Sequence, residues 1–316
     1  MSGADEFGVD VDPAGAARGA VVVGVHSGEE CLPVVLWAAE QAWRRSAPLL
    51  LLHAEPYPFA GDSMGAVWAG EVAEQLDRDA RERLHRLAGK VHDEVPELDV
   101  RVQVVHDNRR HALLRASAGA RLVVTGPGRR RGALGELLLG STSLFLVAHV
   151  SCPVVVVRSG AGGEGAERSR SGVVLGSDGS GAARAAEAFA ASHARAHGEA
   201  LTVVRVWRSP VPRSRVDADV SAAAREQARL EAEHGLEGAL ERVRAAVPGL
   251  VVHGRLVEDA HPAEALLAAG AGARLLVVGS RGRGAFARAL LGSTSHEVVH
   301  HAHGPVAVVP DAERRG

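Results

Sequence analysis

Lysine is almost missing from this 316-residue chain: Lys90 is the only one, and arginine carries the rest of the basic charge. The GxxxxGK[ST] phosphate loop needs its lysine beside the phosphates, so that class of nucleotide site is excluded. With abundant Ala, Gly and Val, the arginine bias reads as GC-rich coding and not as function. Cysteine is scarce as well. Cys31 and Cys152 stand alone, which excludes a disulfide framework and a CxxC metal pair. No stretch approaches the roughly 20 apolar residues of a membrane span. The opening MSGADEFGVDVDPAGAARG is acidic and polar and lacks the apolar core of a signal peptide. A formal net charge of -2 gives no global field toward nucleic acid or membrane. These absences leave a cytoplasmic protein with neither of those partners as the expectation.

What is present is an apolar content of 46%, enough for real cores, in a chain long enough for two domains. Residues 1–18 offer little to bury and read as a disordered tail. Short apolar runs rich in β-branched residues follow at 20–25, 49–52, 122–125 and 153–157 and read as buried strands. Val100, Val102 and Val104 alternate with polar residues and predict a half-buried strand. Helical spacing marks residues 32–45, 67–95 and 111–118. Residues 159–171, SGAGGEGAERSRS, have the composition of a flexible linker. Then the same order restarts and runs to a last strand at 305–309.

The two halves match at an offset of about 152 residues. Val23-Gly24-Val25-His26 aligns with Leu175-Gly176-Ser177-Asp178, and Gly140-Ser141-Thr142-Ser143 with Gly292-Ser293-Thr294-Ser295. A unit this long is a duplicated domain and not a solenoid repeat. Residues 19–158 and 172–310 are the expected domains. Strands alternating with helices predict an α/β class, a doubly wound parallel sheet in each half. Ligands of such sheets bind at the carboxyl ends of the central strands.

One stretch in each half carries chemistry. In the second, a strand ends at Gly279 and a loop with Gly282 leads to Gly292-Ser293-Thr294-Ser295, where Ser and Thr predict a capped helix start. Glycines let the backbone approach a ligand, and a helix N-terminus offers free N–H groups and a favourable dipole to an anion. Asp178 ends the first strand of this half. It is placed to meet a ligand, or to serve as an Asx-turn acceptor or helix cap.

The spacing Gly279-x2-Gly282-x9-Gly292-Ser293 resembles that of the universal stress protein family, and the resemblance extends over both halves. It implies five-stranded domains of strand order 3-2-1-4-5, adenine-nucleotide alpha-hydrolase-like. It implies that Gly279, Gly282, Gly292, Ser293 and Thr294 hold the phosphates and ribose of ATP. Asp178 and the backbone of Val206 would lie by the adenine. Mg²⁺ as a companion ion, cAMP in place of ATP, and pairing through the last strands, as a homodimer or within the tandem chain, belong to the same expectation. The function implied is a nucleotide-linked stress regulator; a slow ATPase and a ligand-free scaffold are the rivals. The first half departs from the pattern. Counting back from Gly140, the glycine positions fall on Arg130 and Pro127, His26 replaces the aspartate, and Ala54 stands where Val206 would be. Gly126, Gly128, Gly140 and Ser141 leave at most a weaker site there, with Arg129 to Arg131 as a basic turn.

Two further patterns compete for a metal. His296-Glu297-Val298-Val299-His300 fits HExxH literally, but zinc needs a third ligand and none is apparent in the sequence. Surface histidines are the expectation. Glu258 and Asp259 precede Pro262 and are read as a solvated turn, with Mg²⁺ binding as the alternative.

Overall fold

A computed structural model gives the structure; it describes residues 12–26, 29–56, 63–126, 140–158, 170–209, 218–282 and 291–311. The chain forms two compact units, Met1–Thr125 and Gly126–Gly316. In the first lie α1 (Pro13–Ala16), β1 (Val21–Val25), a single 3-10 turn at Glu29–Cys31 and α2 (Leu32–Arg44). Then come β2 (Leu49–Ala54), α3 (Ser63–Glu94), β3 (Val100–Val105), α4 (Arg109–Ser117) and β4 (Leu122–Thr125). The strands are parallel, in the order β3-β2-β1-β4. Leu49 to Leu52 are all buried, as expected of a strand covered on both faces by helices.

The expected disordered tail ends earlier than its composition implied. Asp12 accepts from the Ala14 N–H at 3.2 Å and starts the turn of α1, with Pro13 at its first position. Gly19 N–H donates to Gly119 O at 2.8 Å, and a Cβ on Gly119 would lie 2.3 Å from Ala14 O. A glycine after α4 thus lets residues 12–18 fold onto it, a contact that local composition cannot announce.

The second unit holds α5 (Ser141–His149), β5 (Val154–Val156), β6 (Val173–Gly176), α6 (Gly181–His197) and β7 (Leu201–Trp207). It continues with α7 (Ala218–Ala246), β8 (Val252–Glu258), α8 (Pro262–Ala269), β9 (Leu275–Gly279), α9 (Ser293–His301) and β10 (Val306–Val309). Its order is β5-β10-β9-β6-β7-β8. From β8 to β10 this is the expected 3-2-1-4-5 arrangement, all parallel. The α/β class and mostly parallel sheet are therefore as read from the sequence.

β5 is the exception, because it pairs antiparallel with β10, Val154 opposite Val308 and Val156 opposite Val306. A strand from the end of the first repeat is thereby built into the second unit. β10 is flanked by β9 and β5, so the last-strand pairing occurs within the chain. Arg158, just after β5, reinforces it: its Nη1 donates to Val299 O at 3.2 Å and His300 O at 2.5 Å. Those are carbonyls of the last turn of α9, which have no intrahelical donor.

One glycine is repeated in both units for a steric reason. A Cβ on Gly24 would lie 3.0 Å from Leu113 Cδ1, and one on Gly176 would lie 2.8 Å from Leu266 Cδ1. Each first strand thus has a glycine near its end because a leucine of a short helix, α4 or α8, packs there.

At the opposite edge of the second unit, Glu199 ties two strand starts together. It accepts from Gly172 N–H at 2.7 Å and from Arg274 Nε at 2.9 Å. Burial alone would raise this carboxyl, but the Gly172 N–H and the Arg274 guanidinium outweigh it and hold it below the usual carboxylate range. A depressed folded value contributes stability above the ordinary carboxylate pKa, and that contribution is lost as pH falls through the folded value. Glu199→Gln is expected to cost roughly 1–3 kcal/mol at neutral pH. The gap from wild type should narrow toward pH 3 in acid-titrated urea melts. A gap independent of pH would remove the carboxylate from the account.

Candidate functional site

The parallel pairing of β6 with both β7 and β9 brings their carboxyl ends to one edge. Beyond β6 the chain turns through Asp178 and Gly179, whose φ of 80° is a left-handed conformation suited to glycine. Asp178 Oδ1 accepts from Ser180 N–H at 3.0 Å, the Asx-turn bond. Ser180, and not Asp178, caps α6: its Oγ accepts from Ala183 N–H at 3.2 Å. The same hydroxyl donates to Arg281 O at 3.2 Å, joining the start of α6 to the loop after β9.

The three spaced glycines have three different local reasons. A Cβ on Gly279 would lie 2.9 Å from the backbone carbon of Ala182, so this glycine is demanded by strand-to-helix packing. A Cβ on Gly282 would lie 2.7 Å from Asp178 Oδ2, which puts the carboxylate directly beside the loop backbone. Around Gly292 the nearest atoms would be 3.5 Å from a Cβ, an ordinary contact. Its N–H donates to Ser280 O at 2.8 Å and closes the base of the loop.

The serines and threonine were expected to cap the helix; they do not. Gly292 is the N-cap of α9, with no side-chain cap bond. Ser295 Oγ instead donates back to Gly279 O at 2.6 Å. The reason is geometric: Ser295 lies in the first turn facing the strand, where the terminal carbonyl of β9 needs a donor. Ser143 repeats the bond to Gly126 O at 3.2 Å, and α5 likewise starts at Gly140 without a side-chain cap. The first-turn N–H groups of α9, those of Ser293 and Thr294 included, are therefore left to the loop side. Ser280 Oγ is buried there without a hydrogen-bond partner among the described residues.

Val206 is at the end of β7, half-buried, in register with Val257. Asp178, Gly282, Gly292, Ser293, Thr294 and Val206 thus share the carboxyl edge of one sheet. Gly126, Gly140 and Ser141 belong to the second unit; Gly128 and Arg129 to Arg131 lie outside the described residues. His26, in the first unit, has its Nδ1 3.2 Å from Cys31 Sγ.

The competing metal patterns resolve into other contacts. Glu258 is paired with Arg225 through Nε at 2.9 Å and through Nη2. Asp259 Oδ1 accepts from His261 N–H at 2.9 Å. His296 and His300 share a face of α9 with ring centroids 4.8 Å apart. Among the described residues no group of three His, Cys, Asp or Glu is arranged to hold a metal ion. No helix among them is long and apolar enough to cross a membrane.

With this edge described, comparison with known proteins is informative. The model of the universal stress protein family matches twice, at residues 18–158 and 171–310. The chain belongs to the universal stress protein family. A universal stress protein of Mycolicibacterium smegmatis is 37% identical over 299 residues, covering 92% of this chain and 96% of its own. A universal stress protein of Mycobacterium tuberculosis is 33% identical over 301 residues, covering 91% and 96%. The crystal structure of a universal stress protein from Archaeoglobus fulgidus superposes with a TM-score of 0.60 at 19% identity, covering 93% of this chain and 97% of its own. At that identity the likeness speaks for the fold. The double match makes this a tandem universal stress protein.

Sequence reasoning missed several residues of the edge. Ser177 and Glu187 join in a buried polar contact directly behind Asp178. Asp311 presses its carboxylate on the start of α6, where a Cβ on Gly181 would lie 2.6 Å from its Oδ2. A polar residue on an otherwise alanine-rich buried helix face was the signal available for Glu187.

The histidines on α9 make a measurable prediction. Burial lowers the His300 imidazole below its ordinary value, and His296, His301 and Arg158 lower it further. The folded state resists protonation, so stability is full above the ordinary histidine pKa and falls as pH drops through it. His300→Gln should flatten the loss of Tm between pH 7 and pH 5 by about 1–3 °C relative to wild type. Parallel Tm curves would show that His300 is not the group titrating.

Proposed function

We propose that this universal stress protein is a cytoplasmic regulator that binds an adenine nucleotide, ATP with Mg²⁺ as companion ion, at the second-repeat edge. Gly282, Gly292, Ser293 and Thr294 take the phosphates and ribose, with Gly279 setting the strand end behind them. Asp178 and the backbone of Val206 take the adenine side. The observation that carries the reading is the meeting of Asp178 with Gly282 at an edge where the first turn of α9 is uncapped. A bare helix start suits an anion, and a carboxylate beside it suits the hydroxyl or amino donors of a nucleoside. The unpartnered hydroxyl of Ser280 fits a site that receives a polar ligand.

The chain lacks a phosphate-loop lysine, which favours binding over rapid turnover. The first repeat, with His26 in place of the aspartate, is assigned weak phosphate binding at most.

The test is calorimetry on protein stripped of carried-over nucleotide, titrated with ATP and separately with cAMP. Saturable binding of ATP supports the proposal; binding of cAMP alone reassigns the ligand; binding of neither overturns it. Gly282→Val should weaken ATP binding at least tenfold, because the new side chain displaces the Asp178 carboxylate. Gly128→Val should do less. Equal losses from the two variants would overturn the asymmetry between repeats.

A further inference from the structure

The two repeats fill the same place behind the first strand in opposite ways. In the second, Ser177 Oγ donates to Glu187 Oε1 at 2.9 Å, and Glu187 is buried. Arg242 of α7 closes on that carboxylate with Nε to Oε2 at 2.8 Å and Nη2 to Oε1 at 3.0 Å. At the offset of about 152 residues the three counterparts are Val25, Val35 and Lys90. Val25 and Val35 are both buried in the first unit. The alignment is firm, since α2 and α6 bury matching positions, as do α3 and α7. Ala38 matches Ala190, Leu84 matches Leu236 and Val91 matches Val243, and all six are buried.

The fold therefore accepts an apolar pair at this place. Taking a carboxylate out of water is costly, and replacing a buried ion pair by packed apolar groups is often neutral or stabilising. Stability alone does not account for the polar trio. It occurs in the repeat that also has Asp178 and the full glycine spacing. Its position suggests what it does. Ser177 directly precedes Asp178, and its N–H is already fixed by Val204 O at 3.0 Å. With its hydroxyl also fixed by Glu187, Ser177 has little freedom to rotate, and neither does the peptide that aims Asp178.

We propose that Glu187 and Arg242 are positioning residues for the base side of the nucleotide site, acting through Ser177 on the Asp178 carboxylate. This rests on the adenine-nucleotide reading above. The bidentate contact holds the Glu187 oxygens in one plane. Oε1 then accepts from the Ser177 hydroxyl as well as from Arg242. Asp178 keeps its Ser180 bond and its place beside Gly282. Without the trio, Asp178 would sample other orientations and the site would hold phosphate without choosing the base.

The experiment converts this repeat to the solution used by the other, with Ser177→Val and Glu187→Val together. Three readouts are taken on the full chain: Tm, amide exchange at Ser180, and the affinity ratio of ATP to ITP, which differ at the base edge. The double variant should melt within a few degrees of wild type. Exchange at Ser180, whose N–H donates to Asp178, should quicken about tenfold. The preference for ATP over ITP should fall about tenfold with ITP affinity little changed. If the double variant does not fold, Ser177→Ala, which removes only the hydroxyl, should move exchange and preference in the same direction. A folded variant with wild-type exchange and wild-type preference overturns the positioning role and leaves the nucleotide reading intact. A wild type that binds neither nucleotide overturns both.

Discussion

The parallel pairing of β6 with β9 is the constraint on which the candidate site depends. Asp178 and Gly282 are far apart in sequence, and their meeting follows from that register, Val173 opposite Leu275 and Leu175 opposite Val277. The pairing is held by apolar residues: Val173, Leu175, Leu275 and Val277 are fully buried, and each such side chain contributes about 1.5–3 kcal/mol by leaving water. Polar side chains then fix the detail at the strand ends. Ser180 ties α6 to the loop, and Ser295 ties α9 to the end of β9.

This division of labour explains the different work done by the glycines. Gly176 and Gly279 are needed by the scaffold, since a leucine or a helix backbone occupies the space of a Cβ. Gly282 is needed at the surface of the site, because its missing side chain is what lets a carboxylate reach the loop. A motif written as spaced glycines therefore mixes packing with recognition, and the two separate only when the neighbours are known.

Much of this was legible in the chain. Apolar runs such as Leu275 to Val278 announced the strands, and repetition announced the duplicated α/β domain. The carboxyl edge followed from the alternation of strands and helices. Three things were not legible. Residues 12–18 pack through a backbone contact with Gly119, which has no local signature. Ser295 stands in a sequence typical of a cap, yet its hydroxyl turns to the strand because an unpaired carbonyl lies within reach. Glu187 looked like one more charge on a helix; the partners that make it a buried residue lie on β6's end and on α7.

The antiparallel pairing of β5 with β10 has a consequence for how the protein responds to its own abundance. An exposed strand as apolar as Val306 to Val309 invites pairing with any other chain that offers an edge. Here the edge is met by a strand of the same molecule, so the encounter is set by the tether and not by how many copies are present. Dilution does not undo it, and a rise in expression does not recruit it into larger assemblies. A protein joined to itself in this way keeps the same sheet whether it is rare or plentiful.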